Sequence, residues 1–234
     1  MSAFHKRHCI LVVGAHPDDE VLGCGGTLAR LAAEGCEIHL LVLADGETSR
    51  RGASTAPVEP ARIAQREEAA RTAAGILGCA SVKLLALPDN RMDRVELLDV
   101  VRHVEESLGR LKPATVMTHH AGDVNIDHRI VHDAVIAACR PQPGNSVHRL
   151  LFFEVPSSTE WRPPSSGLAF NPNWFVDITA SMATKMKALE AYASEMRAFP
   201  HPRSLEATTA LARWRGASVG VAAAEAFILG RELV

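Results

Sequence analysis

Short apolar runs alternate with longer segments of helical periodicity through the first two thirds of the chain. The runs have the length of buried strands, so the alternation predicts parallel strands joined by helical crossovers. We therefore expect an α/β fold with helices packed on a mostly parallel sheet. The predicted strands are 10–13, 38–43, 82–87, 115–118 and 150–154, and the predicted helices are 21–34, 61–77, 94–111 and 128–139.

The last third of the chain departs from this alternation. Residues 156–172 are rich in Pro, Ser and Gly and form an irregular stretch of the length that usually serves a site or an interface. A short strand is predicted near 174–176, followed by two or three helices over 182–199 and 205–229. We predict a single domain, with its core over about 8–180 and a helical C-terminal extension over about 181–234.

The charge, the apolar runs and the cysteines of the chain indicate which kinds of partner and which compartment to expect. The formal net charge is −2, and no run of like charge stands out, so a surface that tracks nucleic-acid phosphates has no support. The apolar runs are far shorter than the ~20 residues of a membrane span, and 1–8 lacks the apolar region of a signal peptide, so we expect a cytoplasmic protein. The five cysteines are never spaced C-x-x-C, which favours reduced thiols. The expected partner is a small molecule, and a homo-oligomer stays open.

Polar segments follow directly after four of the predicted strands. Ligands of open parallel sheets bind beyond the carboxyl ends of the strands, so a site is expected in these segments. They are 15–20, 45–51, 88–93 and 119–128. Four loops that are distant in sequence are thus expected to meet on one edge of the sheet.

The first of these segments holds His16 and three adjacent carboxylates, Asp18, Asp19 and Glu20. Capping accounts for one carboxylate, since an Asp near a helix start stabilises the helix by roughly 1 kcal/mol, but it does not account for His16. A catalytic zinc commonly takes two His and one carboxylate, so a metal would account for the set. The second His would come from another strand end, where His128 is the best placed. A capped turn with a hydrogen-bonded His is the alternative.

Two segments carry a resemblance to a known family. The run AHPDDEVLGCGGTLA at 15–29 resembles the signature of the LmbE-like deacetylases, the family of GlcNAc-phosphatidylinositol de-N-acetylase (PIG-L). A second family segment is matched by DVNIDHR at 123–129, and order and spacing agree over roughly 8–140. The tail from Tyr192, with its Pro-His-Pro-Arg-Ser run, is similar to a bacterial branch of this family.

The resemblance implies a Rossmann-like fold and one zinc ion per chain, held by His16, Asp19 and His128, with Asp18 as the catalytic base. Zinc lowers the pKa of bound water from 15.7 toward about 7, and a carboxylate beside it can take the proton as the water attacks an amide. Other divalent metals suit such a donor set. The implied reaction removes the acetyl group, as acetate, from an N-acetylated amino sugar in a GlcNAc-type glycoside, sugar nucleotide or secondary metabolite.

Three other functions stay open. Some family members hydrolyse a non-acetyl amide on a thiol-sugar conjugate with the same kind of metal site. A metal-binding domain without catalysis would leave Asp18 without a purpose. A nucleotide-binding domain is suggested by the glycines of 23–26 and by Asp45. A dinucleotide fingerprint would have its glycines in the strand-to-helix turn. The glycines of 23–26 come after that turn, inside the helix, so close packing explains them better.

Position 125 departs from the family pattern. Better-known members have a second His there, three residues before the ligand His, which steadies the oxyanion or protonates the amine. Asn125 can donate a hydrogen bond to an oxyanion but cannot transfer a proton at neutral pH. A related branch also carries Asn, so an active enzyme is still expected. The candidates for the missing proton donor are His119, His120, Asp123 and His201, with return of the proton by Asp18 as a further option.

Other polar residues of these segments have two possible roles each. Asp127 can orient a ligand His, cap the helix that follows, or do both. His132 lies one turn after His128 but is interpreted as a half-buried helical His, because Arg129 stands where a zincin has its general-base Glu. Residues of the strand-end loops are expected to bind sugar hydroxyls, as in family relatives, or else to form a solvated loop. They are Arg50, Arg51, Asp89, Asn90, Arg91 and Asp123.

Overall fold

The computed structural model describes residues 8–51, 60–164 and 167–234, and within them it confirms the α/β class. The strands are β1 (Cys9–Gly14), β2 (Glu37–Ala44), β3 (Ser81–Leu87), β4 (Thr115–His119), β5 (Arg149–Phe153), β6 (Trp174–Asp177) and β7 (Ala224–Glu232). The helices are α1 (Asp19–Ala33), α2 (Pro60–Leu77), α3 (Leu97–Leu111), α4 (Ile126–Ala138), α5 (Met182–Glu190) and α6 (Leu205–Ala217). Short 3₁₀ turns cover Thr48–Arg51 and Met92–Arg94.

The seven strands form one sheet in the order β3-β2-β1-β4-β5-β7-β6. The first five strands in this order are parallel, and β7 runs antiparallel to both of its neighbours. Each of the five strands predicted in the core is present, with both ends within one residue of the prediction. From β1 the chain proceeds to β2 and β3 on one side and later to β4 and β5 on the other. The carboxyl ends of β1 and β4 therefore flank the switch point where a doubly wound sheet binds its ligands.

The core lies on both faces of the sheet. Along β1, Ile10 and Val12 pack into the cluster formed with α1, α2 and α5, whereas Leu11 and Val13 pack into the cluster formed with α3 and α4. Because successive side chains of a strand point to opposite faces, a strand buried between two helical layers is apolar throughout. This explains why the predicted core strands appear in the sequence as unbroken apolar runs.

The C-terminal region corrects the prediction of a purely helical extension. Helix α5 ends at Glu190 and α6 at Ala217, and residues 224–232 form β7 instead of the end of a helix. The Ala-rich sequence there favours a helix locally, but pairing with β5 and β6 overrides that preference. Glu225 fixes the strand, because its carboxylate accepts the N–H groups of Gly26 and Thr27 at 2.9 and 2.6 Å. Lys185 donates to the same carboxylate at 2.6 Å, and both charged groups are buried.

The glycines of α1 serve close packing, as predicted, and not a nucleotide. A Cβ on Gly23 would collide with the ring of Phe153, and one on Gly26 would come within 2.7 Å of Ile178 Cδ1. Helix α1 therefore approaches the sheet and the β6–α5 connection more closely than any larger residue allows.

Two further sequence expectations concern the cysteines and the membrane. All five cysteines are free thiols in the structure, and their reduced state in the cell stays a prediction. Burial raises the pKa of the Cys24 thiol well above its usual range and that of Cys139 to about 12, so these two are packing residues and not nucleophiles. Among the helices of the described residues, none combines the length and the apolar character that crossing a membrane requires.

The close approach of α1 makes a stability prediction. Gly26→Ala should lower the free energy of unfolding by about 1–3 kcal/mol, because the added methyl must displace Ile178. Gly75→Ala in α2 is the matched control, since no atom lies within 4 Å of its added Cβ. That variant should be unchanged or more stable by about 0.5–1 kcal/mol, because Ala is the better helix former. Urea unfolding of both variants measures this, and equal stabilities would contradict it.

Candidate active site

The polar loops predicted to meet do meet, beyond the carboxyl ends of β1 and β4. His16 and Asp19 lie in the turn that leads from β1 into α1. His119 is the last residue of β4, and His128 lies in the first turn of α4. All four side chains are buried, so the centre of this site is a cluster of ionisable groups inside the protein.

His16, Asp19 and His128 form a group that could hold a metal ion, because one ligand atom of each lies within 4.8 Å of the others. Asp19 Oδ2 is 3.4 Å from His16 Nδ1 and 3.3 Å from His128 Nε2, and the two ring nitrogens are 3.3 Å apart. Asp19 Oδ1 is buried and has no hydrogen-bond partner among the described residues. A buried carboxylate with one oxygen beside two imidazole nitrogens and the other oxygen unpaired fits a bound divalent cation, since two His and one carboxylate form a common catalytic metal site.

The charges of the cluster are strongly coupled. Burial lowers the pKa of His16 and His128, but the hydrogen bonds that the His16 ring donates to carboxylates outweigh it and hold the pKa of His16 well above its usual range. Asp19 and Asp123 raise the pKa of His128 to about 9. Burial raises the pKa of Asp19, but the charges of His128 and His119 hold it well below its usual range. Metal ligands must be deprotonated, so a divalent cation would take over the positive charge that these protons supply.

Each candidate ligand histidine has a carboxylate behind it. His16 Nε2 lies 3.0 Å from Asp127 Oδ2 and 3.1 Å from Asp89 Oδ1. Asp127 also accepts the backbone N–H groups of Asn90 and Met92, so it holds the loop after β3 and the imidazole together. Of its two predicted roles, the structure therefore shows the one toward His16. The cap of α4 is instead Asn125, whose side chain accepts the N–H of Asp127.

His16, Asp89 and Asp127 also lie close enough together to hold a cation. The two carboxylates already accept hydrogen bonds, however. Asp127 accepts hydrogen bonds from two backbone N–H groups, and Asp89 accepts one from the Ser49 hydroxyl at 2.5 Å. Their polar atoms need no cation, so this group is better understood as support for His16.

Asp123, which was predicted to bind the sugar, is instead fully buried and supports the second histidine in the same way. Its Oδ2 is 3.1 Å from His128 Nδ1, and it accepts hydrogen bonds from the Ser158 and Thr159 hydroxyls. Ser158 and Thr159 belong to the irregular stretch after β5, where no site residue was predicted. The only sequence indication of them was the length and composition of that stretch.

Asp18 stands beside the metal-ligand group in an unusual conformation. Its φ is 117°, a value that L residues rarely adopt, and its side chain is 1% exposed. Oδ2 accepts a hydrogen bond from Arg203 Nη1 at 2.8 Å, whereas Oδ1 has no partner among the described residues. Burial raises the pKa of Asp18, and the charge of Arg203 partly offsets this. Arg203 was missed as a site residue, although the Pro-His-Pro-Arg-Ser run contains it.

The other predicted residues lie at varying distance from this centre. Asn125 Nδ2 donates to Asn90 Oδ1 at 3.0 Å, and Asn90 in turn donates to Asp89, so these three lie together. Asn90 is exposed, and the point where the site meets solvent beside it is called the mouth of the site. His132 points its Nδ1 at the His119 carbonyl and is half-buried in α4, as predicted. His201 packs its ring on Trp161, and its Nδ1 accepts the N–H of Arg203. The side chains of Arg50 and Arg51 lie outside the described part of the chain.

Comparison with known proteins decides the family. The family model described as GlcNAc-PI de-N-acetylase, PIG-L, matches residues 11–139, more than half of the chain. The chain belongs to the PIG-L family. Its matched part runs from β1 to the end of α4 and so contains both segments that carry the PIG-L resemblance.

Three proteins that are similar to this chain show how far the similarity extends. The uncharacterized deacetylase YaiS of Escherichia coli is 34% identical over 200 residues, 83% of this chain and 95% of the relative. The diacetylchitobiose deacetylase of Thermococcus kodakarensis is 28% identical over 82% of this chain and 72% of the relative. The crystal structure of the 4-carboxy-2-hydroxymuconate hydratase GalB of Pseudomonas putida aligns with a TM-score of 0.76, at 26% identity, over 97% of this chain and 98% of that chain.

The geometry of the PIG-L site makes a prediction about metal binding. The purified protein should bind about one divalent ion per chain, and Asp19→Ala or His128→Ala should abolish this binding. His132→Ala is the matched control, because His132 lies one turn from His128 but outside the ligand group. Elemental analysis after dialysis against zinc measures the metal, and circular dichroism checks that each variant is folded. Full metal content in the His128 variant would refute the ligand assignment.

Proposed function

We propose that this protein is a metal-dependent deacetylase that hydrolyses the N-acetyl group of an acetylated amino sugar and releases acetate. The observation that carries the proposal is the buried Asp18 carboxylate beside a His-Asp-His group in a chain of the PIG-L family. The family description and the diacetylchitobiose deacetylase both name acetylated amino sugars, which supports this class of substrate. We further propose that it acts in the cytoplasm, since its cysteines are all free thiols.

In the proposed mechanism, His16, Asp19 and His128 hold the metal, for which we propose zinc, at one ion per chain. When bound there, zinc supplies a Lewis acid that polarises the amide carbonyl and lowers the pKa of water. Asp127 fixes the ring of His16 from behind, and Asp123 fixes that of His128. Fixed rings keep the ligand nitrogens pointed at one place, and such supporting carboxylates raise the basicity of the ligands.

Asp18 acts as the general base of this reaction. As the oxygen of the attacking water bonds to the acetyl carbon, Asp18 takes a proton from that water. Its Oδ1 is available for this because Arg203 occupies only Oδ2. Burial raises the pKa of Asp18 and so brings it closer to neutral, where a general base is most effective. The C–N bond then breaks, acetate is released, and the nitrogen must gain a proton to depart as an amine.

We propose that Asp18 also returns the proton to the departing nitrogen. Asn125 cannot do so, and its place at the mouth suits a hydrogen bond to substrate instead. Each of the other predicted donors has at least one polar atom that is already hydrogen-bonded, although His119 Nδ1 is buried without a partner among the described residues. His119 Nε2 accepts the Ala15 N–H, His120 Nε2 meets the Leu168 carbonyl, Asp123 accepts two hydroxyls, and His201 Nδ1 accepts the Arg203 N–H.

The sugar is proposed to bind at the mouth, above the loop that follows β3. Asn90 is exposed there, adopts a positive φ of 52°, and shares hydrogen bonds with Asp89 and Asn125. An amide can both donate to and accept from sugar hydroxyls, whereas a carboxylate can only accept from them. Asp89, Asn90 and Asn125 are therefore the proposed sugar contacts of the described residues, and Arg50 and Arg51 remain proposed contacts from the neighbouring loop.

A second candidate function is the addition of water to a carbon–carbon double bond. The observation that favours it is the similarity to the hydratase structure over nearly the whole chain. A metal beside a buried base serves either reaction, because both need an activated water. The two reactions differ in product, since only the deacetylase releases acetate.

The proposed function makes a prediction about Asp18. The wild-type enzyme loaded with zinc should release acetate from at least one of a panel of N-acetylglucosamine glycosides and sugar nucleotides, and a chelator should abolish this until zinc is restored. Asp18→Asn cannot accept a proton, so its turnover should fall by at least about 100-fold with metal content unchanged. Asp133→Asn, on the exposed face of α4, is the matched control and should keep full activity.

Two results would count against the deacetylase. Near-normal turnover of Asp18→Asn would mean that another residue activates the water. Failure of the whole panel together with loss of the double-bond absorbance of 4-carboxy-2-hydroxymuconate would identify a hydratase instead.

A separate prediction distinguishes the proton donors. His201→Asn keeps a side-chain acceptor for the Arg203 N–H, as in an Asx-turn, but cannot transfer a proton. If Asp18 returns the proton, kcat and its pH profile should match those of the wild type. A lower kcat with loss of the high-pH limb would assign the donor role to His201.

A further inference from the structure

We infer that Arg203 is the positioning residue of the general base: it holds one oxygen of Asp18 so that the other faces the attacking water. The inference rests on the proposed deacetylase function and extends it to the C-terminal tail. Asp18 and Arg203 are 185 residues apart in the chain, yet Nη1 of the arginine lies 2.8 Å from Asp18 Oδ2.

The two oxygens of Asp18 have different surroundings, and this difference carries the inference. Oδ2 is engaged by Arg203, and Oδ1 has no partner among the described residues although it is buried. A carboxylate held at one oxygen keeps a single orientation, whereas an unheld one rotates about its last bond. Because a general base must lie within hydrogen-bond distance of the proton that it takes, fixing this rotation keeps the base in place.

Arg203 is itself held from several sides. Its Nε donates to Ser157 Oγ at 2.8 Å, its backbone N–H donates to His201 Nδ1 at 3.0 Å, and its Nη1 is 3.9 Å from Glu195 Oε2. Glu195 is buried and paired with Arg66 of α2 at 2.8 Å. Arg203 thus joins the tail and the loop after β5 to the turn that holds Asp18, and the planar guanidinium can donate to both in one geometry.

A purely structural ion pair is the competing interpretation, and the same tail offers a matched control for it. Arg215 of α6 donates through Nε and Nη2 to Glu154 at 2.8 and 2.7 Å. The side chains of Arg203 and Arg215 are 19% and 21% exposed. Both arginines tie the tail to the region of β5, but only Arg203 contacts Asp18. Arg215→Ala therefore measures the effect of loosening the tail without touching the base.

The experiment compares Arg203→Ala and Arg203→Lys with Arg215→Ala, each in the zinc-loaded full-length enzyme. Arg203→Ala should lower kcat by about 100-fold, the size of effect that a misplaced catalytic group produces, with KM within a few-fold of the wild type. Its metal content should stay at one ion per chain. Added guanidinium, far below denaturing concentration, should partly restore kcat of Arg203→Ala. Arg215→Ala should keep its kcat.

A double variant separates action through Asp18 from a general effect. If Arg203 acts through the base, Arg203→Ala should cause little further loss in Asp18→Asn, and guanidinium should not rescue the double variant. Arg203→Lys should remain impaired, because an ammonium group lacks the fork that reaches Asp18 and Ser157 together. If Arg203→Ala does not fold, the kcat of Arg203→Lys tests the inference in its place.

Three results would overturn the inference. These are a kcat of Arg203→Ala within about three-fold of the wild type, losses in the double variant that multiply, and equal losses in the Arg203 and Arg215 variants. A wild-type enzyme that releases no acetate from any substrate would refute the proposed function itself. The failure of Arg203 alone would leave acetate release and its dependence on Asp18 intact, so the two outcomes are distinguishable.

Discussion

The buried carboxylate of Asp19 is the group around which the site is arranged. Its Oδ2 lies within 3.5 Å of ring nitrogens from His16, His119 and His128, and it accepts the backbone N–H of His16 at 2.8 Å. A buried charge is costly unless it is paired and hydrogen-bonded, so this oxygen requires His16 and His128 to stay close. His119 Nε2 accepts the Ala15 N–H and so ties the end of β4 to the turn after β1. The turn after β1, the end of β4 and the start of α4 are thereby held in one arrangement.

The candidate ligand histidines are held by carboxylates, and these carboxylates are held by the neighbouring loops. Asp127 and Asp123 hold the candidate ligand imidazoles, and both are held in turn by the next loops along the sheet edge. Asp127 collects backbone N–H groups from the loop after β3, and Asp123 collects two hydroxyls from the loop after β5. Such supporting contacts matter because a metal site binds tightly only if its ligands keep their orientation. The irregular stretch after β5 is thus part of the site and not merely a connection.

The C-terminal third contributes more than an added layer of helices. Strand β7 inserts between β5 and β6, and its Glu225 is paired with Lys185 and with two N–H groups of α1 inside the protein. A buried ion pair is kept only where its geometry is well satisfied, so the pair locks the register between tail and core. The same tail delivers Arg203 to Asp18. The tail therefore completes both the sheet and the surroundings of Asp18.

The sequence pattern predicted secondary structure well where the strands are buried on both faces. The five core strands were predicted to within one residue, because strands covered on both faces must be apolar throughout. The group His16, Asp19 and His128 was singled out by the resemblance to the PIG-L family, because the residues alone left a capped turn with a hydrogen-bonded His as the alternative. The structure brings the three side chains together. The helical prediction for 224–229 failed because Ala and Glu favour a helix locally, whereas pairing with two neighbouring strands outweighs that preference.

The sequence by itself determined the α/β class and the strand ends that carry the polar loops, and its resemblance to the PIG-L family singled out the three residues proposed as metal ligands. Only the tertiary structure decided that Asp127 supports His16 and does not cap α4, that Ser158 and Thr159 hold Asp123, and that Arg203 meets Asp18. The physical reason is the range of the interactions. Periodicity and motif spacing report contacts between residues close in the chain, whereas a hydrogen bond between residues far apart leaves no local pattern until the fold brings them together.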